Sequence, residues 1–372
     1  MIILFNTLWS YFPLFVAIFL SPKRPIKRIS TAIGAKKRKR FHNLYLSKMK
    51  NIAIIMGGYS SEYKISLISG NVVYQFLDKT QYNAFRIHIF KEKWVYVDAS
   101  DTEFPIDKND FSVTAAGTKI TFDCVFNAIH GTPGEDGLMQ AYFELLNIPQ
   151  TSCDYYQAAL TFNKRDLLSV LKPYGIKTAT SYYLNKGDKI NTDEIVAKVG
   201  LPCFVKPNKA GSSFGISKAK TAAELPIAIE VAYKEDNEII IESFLDGTEV
   251  SVGVINYKGI VTVLPITEIV SDNDFFDYEA KYLGKSQEIT PARISDEMTQ
   301  KVGEIAKRAY EILKMKGFSR SEFIIVDGEP FMLEMNTIPG LTTESLIPQQ
   351  AKAAGISLED LFTNAIELAL NK

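Results

Sequence analysis

Lys206 closes an apolar run in FVKPNKAGSSFGI, residues 204–216, and a loop of small residues follows at once. An ammonium at the end of a buried strand is costly to strip of water, so Lys206 needs a partner that arrives from outside. The lysine as a point charge, with backbone N–H groups of a loop containing Gly211, Ser212, Ser213 and Gly215, can hold phosphate oxygens. A second set lies in SRSEFIIVDGEPFMLEMNTIPG, residues 319–340, which reads as two strands around Asp-Gly-Glu. A three-residue hairpin loop there puts Glu322 opposite Glu334, and the period of two adds Asn336 and Arg320 to the same face. Two carboxylates and an amide oxygen beside a cation suit Mg²⁺, which takes oxygen ligands and completes its shell with phosphate and water. Each set has a plainer reading: a snorkelling surface lysine, and a solvated hairpin face with cross-strand charge pairs. No GxxxxGK[ST] or GxGxxG run occurs, which argues against a P-loop or dinucleotide fold.

These side chains need a scaffold, and the pattern supplies one. NIAIIM (51–56) is a short buried strand, GGYSSE turns, and Ile65, Ile68, Val72 and Phe76 follow at helical spacing. TFDCVFNAIHG (121–131) is a second apolar strand running into TPGEDG, and AYFELL reads as helix, so residues 51–150 form an α/β domain with a parallel sheet expected. From Thr151 come a helix through RDLLSVLKPYG, strand TSYYL, helix DEIVAKVG and strand PCFVKP. EIIIESFL and TEVSVGVI flank Asp246-Gly247, a two-residue hairpin signal. Strands and helices alternate to the C-terminus, including MTQKVGEIAKRAYEILKM and SLEDLFTNAIELAL. DNDFFDYEAKYLGKS (272–286) has no period and reads as a lid or binding loop. The expected domains are therefore 51–150, 151–247 and 248–372, with 1–48 as an extension.

The bulk numbers exclude several classes. The chain has 372 residues, 46% hydrophobic and 23% charged, an ordinary soluble composition with room for two or three domains. Cys124, Cys153 and Cys203 are scattered, without CxxC or clustered histidine, and read as buried free thiols of a reducing cytoplasm. Residues 1–50 carry 11 of the 42 Lys and Arg and none of the 43 acids, which leaves the remainder at net −12. So acidic a body is a poor nucleic-acid binder. The first twenty residues, MIILFNTLWSYFPLFVAIFL, are apolar and are followed by SPKRPIKR and KKRKR. They are either a membrane anchor, with the positive-inside rule holding everything after it in the cytoplasm, or absent from the protein because translation starts at Met49; they lack the basic leading region and cleavage site of a secretory signal. Membrane contact is expected only if that segment is real.

GGYSSEYKISLISG, HGTPGEDG, VKPNKAGSSFGIS, DYEAKYL and LEMNTIPGLTTESLIP occur in this order. Together they closely resemble the D-alanine–D-alanine ligase family of the ATP-grasp superfamily, over about residues 50–372. The resemblance implies an α/β (α+β) fold: an N-terminal Rossmann-like parallel sheet domain, then two ATP-grasp subdomains with mixed or antiparallel sheets. It implies ATP as co-substrate, two Mg²⁺ (or Mn²⁺) ions, two molecules of D-alanine, a homodimer, and a cytoplasmic role in supplying peptidoglycan precursor. The γ-phosphate goes to the carboxylate of the first D-alanine, and the amine of the second attacks the acyl phosphate. By matched position, Glu62 holds the first ammonium and bonds Ser212 and Tyr282. Lys164 and Lys206 bind phosphates, and Lys281 reaches the γ-phosphate on closure. Glu242 and Leu245 meet adenine, Phe275 and Leu333 lie on its faces, and Glu249 meets the ribose. Glu322, Glu334 and Asn336 hold metal. Arg320 and the backbone of Gly340 form an oxyanion site, Ser345 and Leu346 bind the second carboxylate, and His130 lies near the first substrate. A tyrosine at 282 favours an amine over a hydroxy acid as second substrate.

Three departures from the family pattern stand out. Glu322 replaces an aspartate and the hairpin is shorter; Asn163 replaces an aspartate and is expected to lose only a local cap; Tyr63-Lys64-Ile65 alter the neighbours of Glu62. Two other readings share the motifs. One is a carboxylate–amine ligase with a different second substrate; the other is a non-catalytic nucleotide-binding or membrane-tethered protein.

Overall fold

The computed structural model describes residues 49–271 and 286–371; the segments 1–48 and 272–285, with Phe275, Lys281 and Tyr282 among the expected site residues, lie outside them. Three sheets carry the site. The first runs β6-β5-β4-β3-β2-β1-β7. Its strands are β1 Lys50–Gly57, β2 Tyr82–Ile89, β3 Trp94–Val97, β4 Glu103–Asp107, β5 Ser112–Ala115, β6 Thr118–Ile120 and β7 Cys124–Asn127. Only β2-β1-β7 is parallel; β2 through β6 pair antiparallel. The expected parallel sheet is thus half a meander, because the connections after β2 are too short for the crossover that parallel pairing demands.

The second sheet is β10-β9-β11-β8, built from β8 Ser181–Asn185, β9 Cys203–Pro207, β10 Ser217–Ala219 and β11 Glu238–Ser243. The third runs β15-β14-β12-β16-β17 with β13 beside β12. It uses β12 Thr248–Tyr257, β13 Ile260–Val263, β14 Thr267–Ser271, β15 Ser286–Ile289, β16 Phe318–Val326 and β17 Glu329–Asn336. The hairpin expected at Asp246-Gly247 does not exist. β11 pairs with β8 and β9, whereas β12 pairs with β13, β14 and β16. The dipeptide is a crossover between sheets, and a Cβ on Gly247 would sit 2.1 Å from the Ile325 carbonyl oxygen, so glycine lets the chain pass β16.

Helices α1 (Tyr63–Phe76), α2 (Leu138–Leu145), α3 (Tyr155–Phe162), α4 (Lys164–Leu171), α5 (Thr192–Val199), α6 (Leu225–Ala232), α7 (Asp296–Ile312), α8 (Leu346–Ala353) and α9 (Leu358–Leu370) cover the sheets. Ile52, Ile54 and Phe126 of the first sheet pack with Val73 of α1 and with Leu361, Phe362 and Ile366 of α9. The C-terminal helix therefore returns to the first sheet's core. Ile195 of α5 and Ile229 of α6 cover Val205, Ile239 and Ile241. Leu167 and Leu168 of α4 join Val302 and Tyr310 of α7 on Val252, Phe323 and Met335. Each fully buried side chain of this kind contributes about 1.5–3 kcal/mol, enough to hold the opposite, polar face of the β16–β17 hairpin in place.

Candidate active site

The β16–β17 hairpin closes through Asp327 and Gly328, both at positive φ (48° and 75°), with Val326 paired to Glu329. This is a two-residue turn, not the three-residue loop expected, and a regular ladder from it would pair Glu322 with Leu333. A bulge intervenes: Phe323 pairs with Met332, yet Glu322 pairs with Glu334 and Arg320 with Asn336. The extra residue is Leu333. One inserted residue restores the face that the short turn would have lost. Arg320 Nη2 lies 2.6 Å from Glu322 Oε1, and Lys164 Nζ lies 3.1 Å from Glu334 Oε2. The Asn336 amide donates to Glu334 at 3.4 Å.

Lys206 does not wait for an external partner. Its Nζ donates to Glu242 Oε2 at 2.8 Å, because β9 and β11 pair Lys206 with Ile240 and leave Glu242 one step along the same face. Burial alone would push the Lys206 ammonium down, but Glu242, Glu334 and Glu249 outweigh it and hold it above the ordinary lysine value. Glu242 Oε1 is buried and has no hydrogen-bond partner among the described residues. Such an acceptor suits a donor supplied by a ligand. Lys164 opens α4 and also donates to the Ala210 carbonyl at 2.8 Å. Asn163 does not lose the cap as expected: its side chain accepts from Asp166 N at 3.1 Å and from Asn208 Nδ2 at 2.9 Å.

Beyond β9 the small-residue loop meets the first domain. Ser212 and Ser213 adopt positive φ (50° and 59°), and the Ser212 hydroxyl donates to Glu62 Oε1 at 2.6 Å. A Cβ on Gly211 would stand 2.7 Å from Glu62 Oε2, so any side chain there would push this carboxylate aside. Glu62 is the N-cap of α1 but does not cap it, and Ser345 is the N-cap of α8 without a side-chain capping bond. Both side chains face the cleft instead of their own helices. Ser345 Oγ lies 2.8 Å from Thr342 Oγ1.

His130 is buried with both ring nitrogens committed to protein: Nδ1–H donates to the Ile338 carbonyl at 2.8 Å, and Nε2 accepts from Ser69 at 3.0 Å. Burial lowers its pKa, against the pull of Glu62, which keeps the ring neutral in this arrangement. Glu135, four residues on from Gly131, accepts that glycine's N–H at 3.0 Å, and burial, with Glu62 beside it, raises its carboxyl to about 7. Sequence reasoning passed over Glu135; the one signal was an acid inside the Gly-rich run TPGEDG.

Two cavities, of about 90 and 250 Å³, hold all sixteen described candidates. Lys164, Lys206, Glu242, Leu245, Glu249, Glu322 and Leu333 line the first. Glu62, His130, Arg320, Asn336, Gly340, Ser345 and Leu346 line the second, as does Glu135. Gly211, Ser212 and Glu334 line both, so the two are compartments of one cleft. The donors on the hairpin are all hard oxygens, which fits Mg²⁺. Among the described residues no cluster of three or more His, Cys, Asp or Glu forms a protein cage. No helix among the described residues is long and apolar enough to cross a membrane.

Comparison with known proteins gives matches across this whole region. Residues 51–153 match the family model described as D-ala D-ala ligase N-terminus, and residues 170–367 match D-ala D-ala ligase C-terminus. The D-alanine--D-alanine ligase of Flavobacterium johnsoniae is 90% identical over 322 residues, covering 87% of this chain and 100% of that protein. A D-Ala:D-Ser ligase structure from Enterococcus faecalis superposes with a TM-score of 0.77 at 32% identity, covering 87% of this chain and 100% of that one. A Bacillus anthracis D-alanine--D-alanine ligase complexed with ATP gives 0.69 at 28% identity, covering 87% and 97%.

Proposed function

The chain belongs to the D-alanine–D-alanine ligase family, and on that footing we propose that it joins two D-alanine molecules through a D-alanyl phosphate, with ATP in the smaller compartment and the amino acids in the larger. The carrying observation is that Gly211, Ser212 and Glu334 line both compartments, so a γ-phosphate at their junction would meet a carboxylate from the other side. Glu242 Oε1, buried without a partner among the described residues, is placed to accept from the adenine amino group. Leu245 and Leu333 supply apolar surface there and Glu249 the ribose contact. Lys164 and Lys206 exchange their present carboxylate partners for phosphate oxygens.

Glu322, Glu334 and Asn336 would hold divalent metal, whose contribution is to neutralise charge on the phosphate oxygens. Glu62, aligned by Ser212, holds the ammonium of the first D-alanine. Arg320 and the Gly340 N–H stabilise the oxyanion that develops when the second amine attacks. The amine loses one proton before attack and one as the tetrahedral carbon collapses; phosphate leaves with the bonding pair and takes up one of them. Ser345 and the Leu346 N–H, at the N-terminus of α8, receive the second carboxylate. Tyr282, Lys281 and Phe275 keep the roles that the resemblance implies, in a segment that shields the acyl phosphate from water. We place this activity in the cytoplasm, where ATP and D-alanine meet.

The test follows ¹⁸O. D-Alanine labelled in its carboxylate, incubated with ATP and Mg²⁺, is expected to give D-alanyl-D-alanine and to transfer one ¹⁸O into the released phosphate. Dipeptide with unlabelled phosphate would remove the acyl phosphate; ADP release independent of D-alanine would remove the ligase reading.

A further inference from the structure

Ile338 is held by the loop after β7. Its carbonyl accepts from His130 Nδ1 at 2.8 Å, and Glu135 on the same loop accepts from the N–H of Gly131, the residue next to His130, at 3.0 Å. Two residues past Pro339, the Leu341 N–H donates to Ser69 Oγ at 3.2 Å, and that hydroxyl donates onward to His130 Nε2 at 3.0 Å. Ser69, Glu135, His130, Ile338 and Leu341 are all buried, so each bond is exchanged against no competing water. Gly340 sits inside this frame, on the wall of the larger compartment, and a Cβ added to it would stand 2.7 Å from Ser345 Oγ.

We propose that Ser69, His130 and Glu135 are positioning residues that together fix the Gly340 N–H at the oxyanion site; this rests on the ligase reading above. His130 then serves the substrate through Ile338 and Leu341, not by touching it. The arrangement links three separate stretches: α1 supplies Ser69, the loop after β7 supplies His130 and Glu135, and the segment after β17 supplies the donor. The Ile338–Pro339 and Gly340–Leu341 peptides are each clamped, which leaves the Pro339–Gly340 peptide between them, and its N–H, little freedom to tilt. Oxyanion stabilisation depends steeply on donor geometry, since it works only where charge develops in the transition state. Glu135 acts one step back, holding the N–H of Gly131 beside His130; Glu62 and Glu334 face it as like charges, with neutral His130 on its own loop.

Ser69→Ala removes the link between Leu341 and His130; Glu135→Gln, of equal shape, replaces one acceptor oxygen by an N–H₂ group facing a backbone amide. Two readouts are taken on the whole chain. Hydrogen exchange of peptides covering 337–342 is expected to quicken about tenfold or more in each variant, with exchange elsewhere preserved. Steady-state ligation is expected to show kcat lowered about tenfold to a hundredfold while KM for ATP stays within about twofold, a split that loss of fold would not give. Glu135→Gln decides the matter should Ser69→Ala fail to fold. Unchanged exchange at 337–342 overturns the clamp whether or not the protein ligates, and quickened exchange with wild-type kcat overturns its catalytic consequence. A wild-type protein that forms no dipeptide sinks the ligase reading and with it the oxyanion role, while the exchange result still decides the clamp.

Discussion

Replacing Glu135 by glutamine is expected to flatten the pH dependence of stability between pH 4.5 and 7. The Glu135 carboxyl is raised from an ordinary 4.5 to about 7, first by burial and then by the Glu62 charge. Between those values the folded chain binds a proton that the unfolded chain has released, so stability falls as pH climbs through the window. A shift of about 2.5 units corresponds to about 3 kcal/mol, at 1.36 kcal/mol per unit. Glutamine has no proton to lose, so the variant carries no such slope from this site. The assay is urea denaturation at half-unit steps from pH 4.5 to 8, reading the difference between the two proteins so that other titrations cancel. Wild type should lose about 3 kcal/mol relative to the variant across the window, and most of it by pH 7. Parallel curves, or a wild type that gains on the variant as pH rises, would refute the reasoning, because then the folded site does not disfavour the carboxylate.

Lys206→Ala should abolish ATP binding and also lower stability by about 3 kcal/mol, since Glu242 is left buried and unpaired; adding Glu242→Gln should recover most of the thermal midpoint but none of the binding. Gly211→Ala brings a methyl against the Glu62 carboxylate and should raise KM for the first D-alanine at least about tenfold, with KM for ATP little changed, by initial-rate kinetics at varied D-alanine. Asn163→Ala should cost about 1 kcal/mol in chemical denaturation through the lost α4 cap. Glu334→Gln should eliminate turnover while far-UV circular dichroism stays that of wild type; turnover retained at millimolar Mg²⁺ would remove Glu334 from the metal set.

Much of this was readable along the chain, because it depends on periods and motifs that are local. The buried strand ending in Lys206, the small-residue loop after it, the alternation along β16 and β17, and the ordered motifs are all single-chain patterns. Where a local rule was stretched it failed. Asp246-Gly247 carries a hairpin signal, but β11 finds better partners in β8 and β9 and the chain crosses to another sheet. The hairpin register came out as expected for another reason, a tighter turn compensated by the bulge at Leu333.

Other features had no local signature at all. That Lys206 is neutralised by Glu242, that a side chain at 211 would displace a carboxylate 149 positions earlier, and that Asn163 caps α4 while holding Asn208 are facts of packing between segments. Glu135 illustrates the division most sharply. Its sequence neighbours mark a turn, while its raised pKa arises only when the loop after β7 is buried. Residue order determines which groups can share a strand face or a turn, since those distances are set by bond geometry. Which charges end up without water, and which amides they must then satisfy, is decided by burial, and burial exists only once the distant pieces have met.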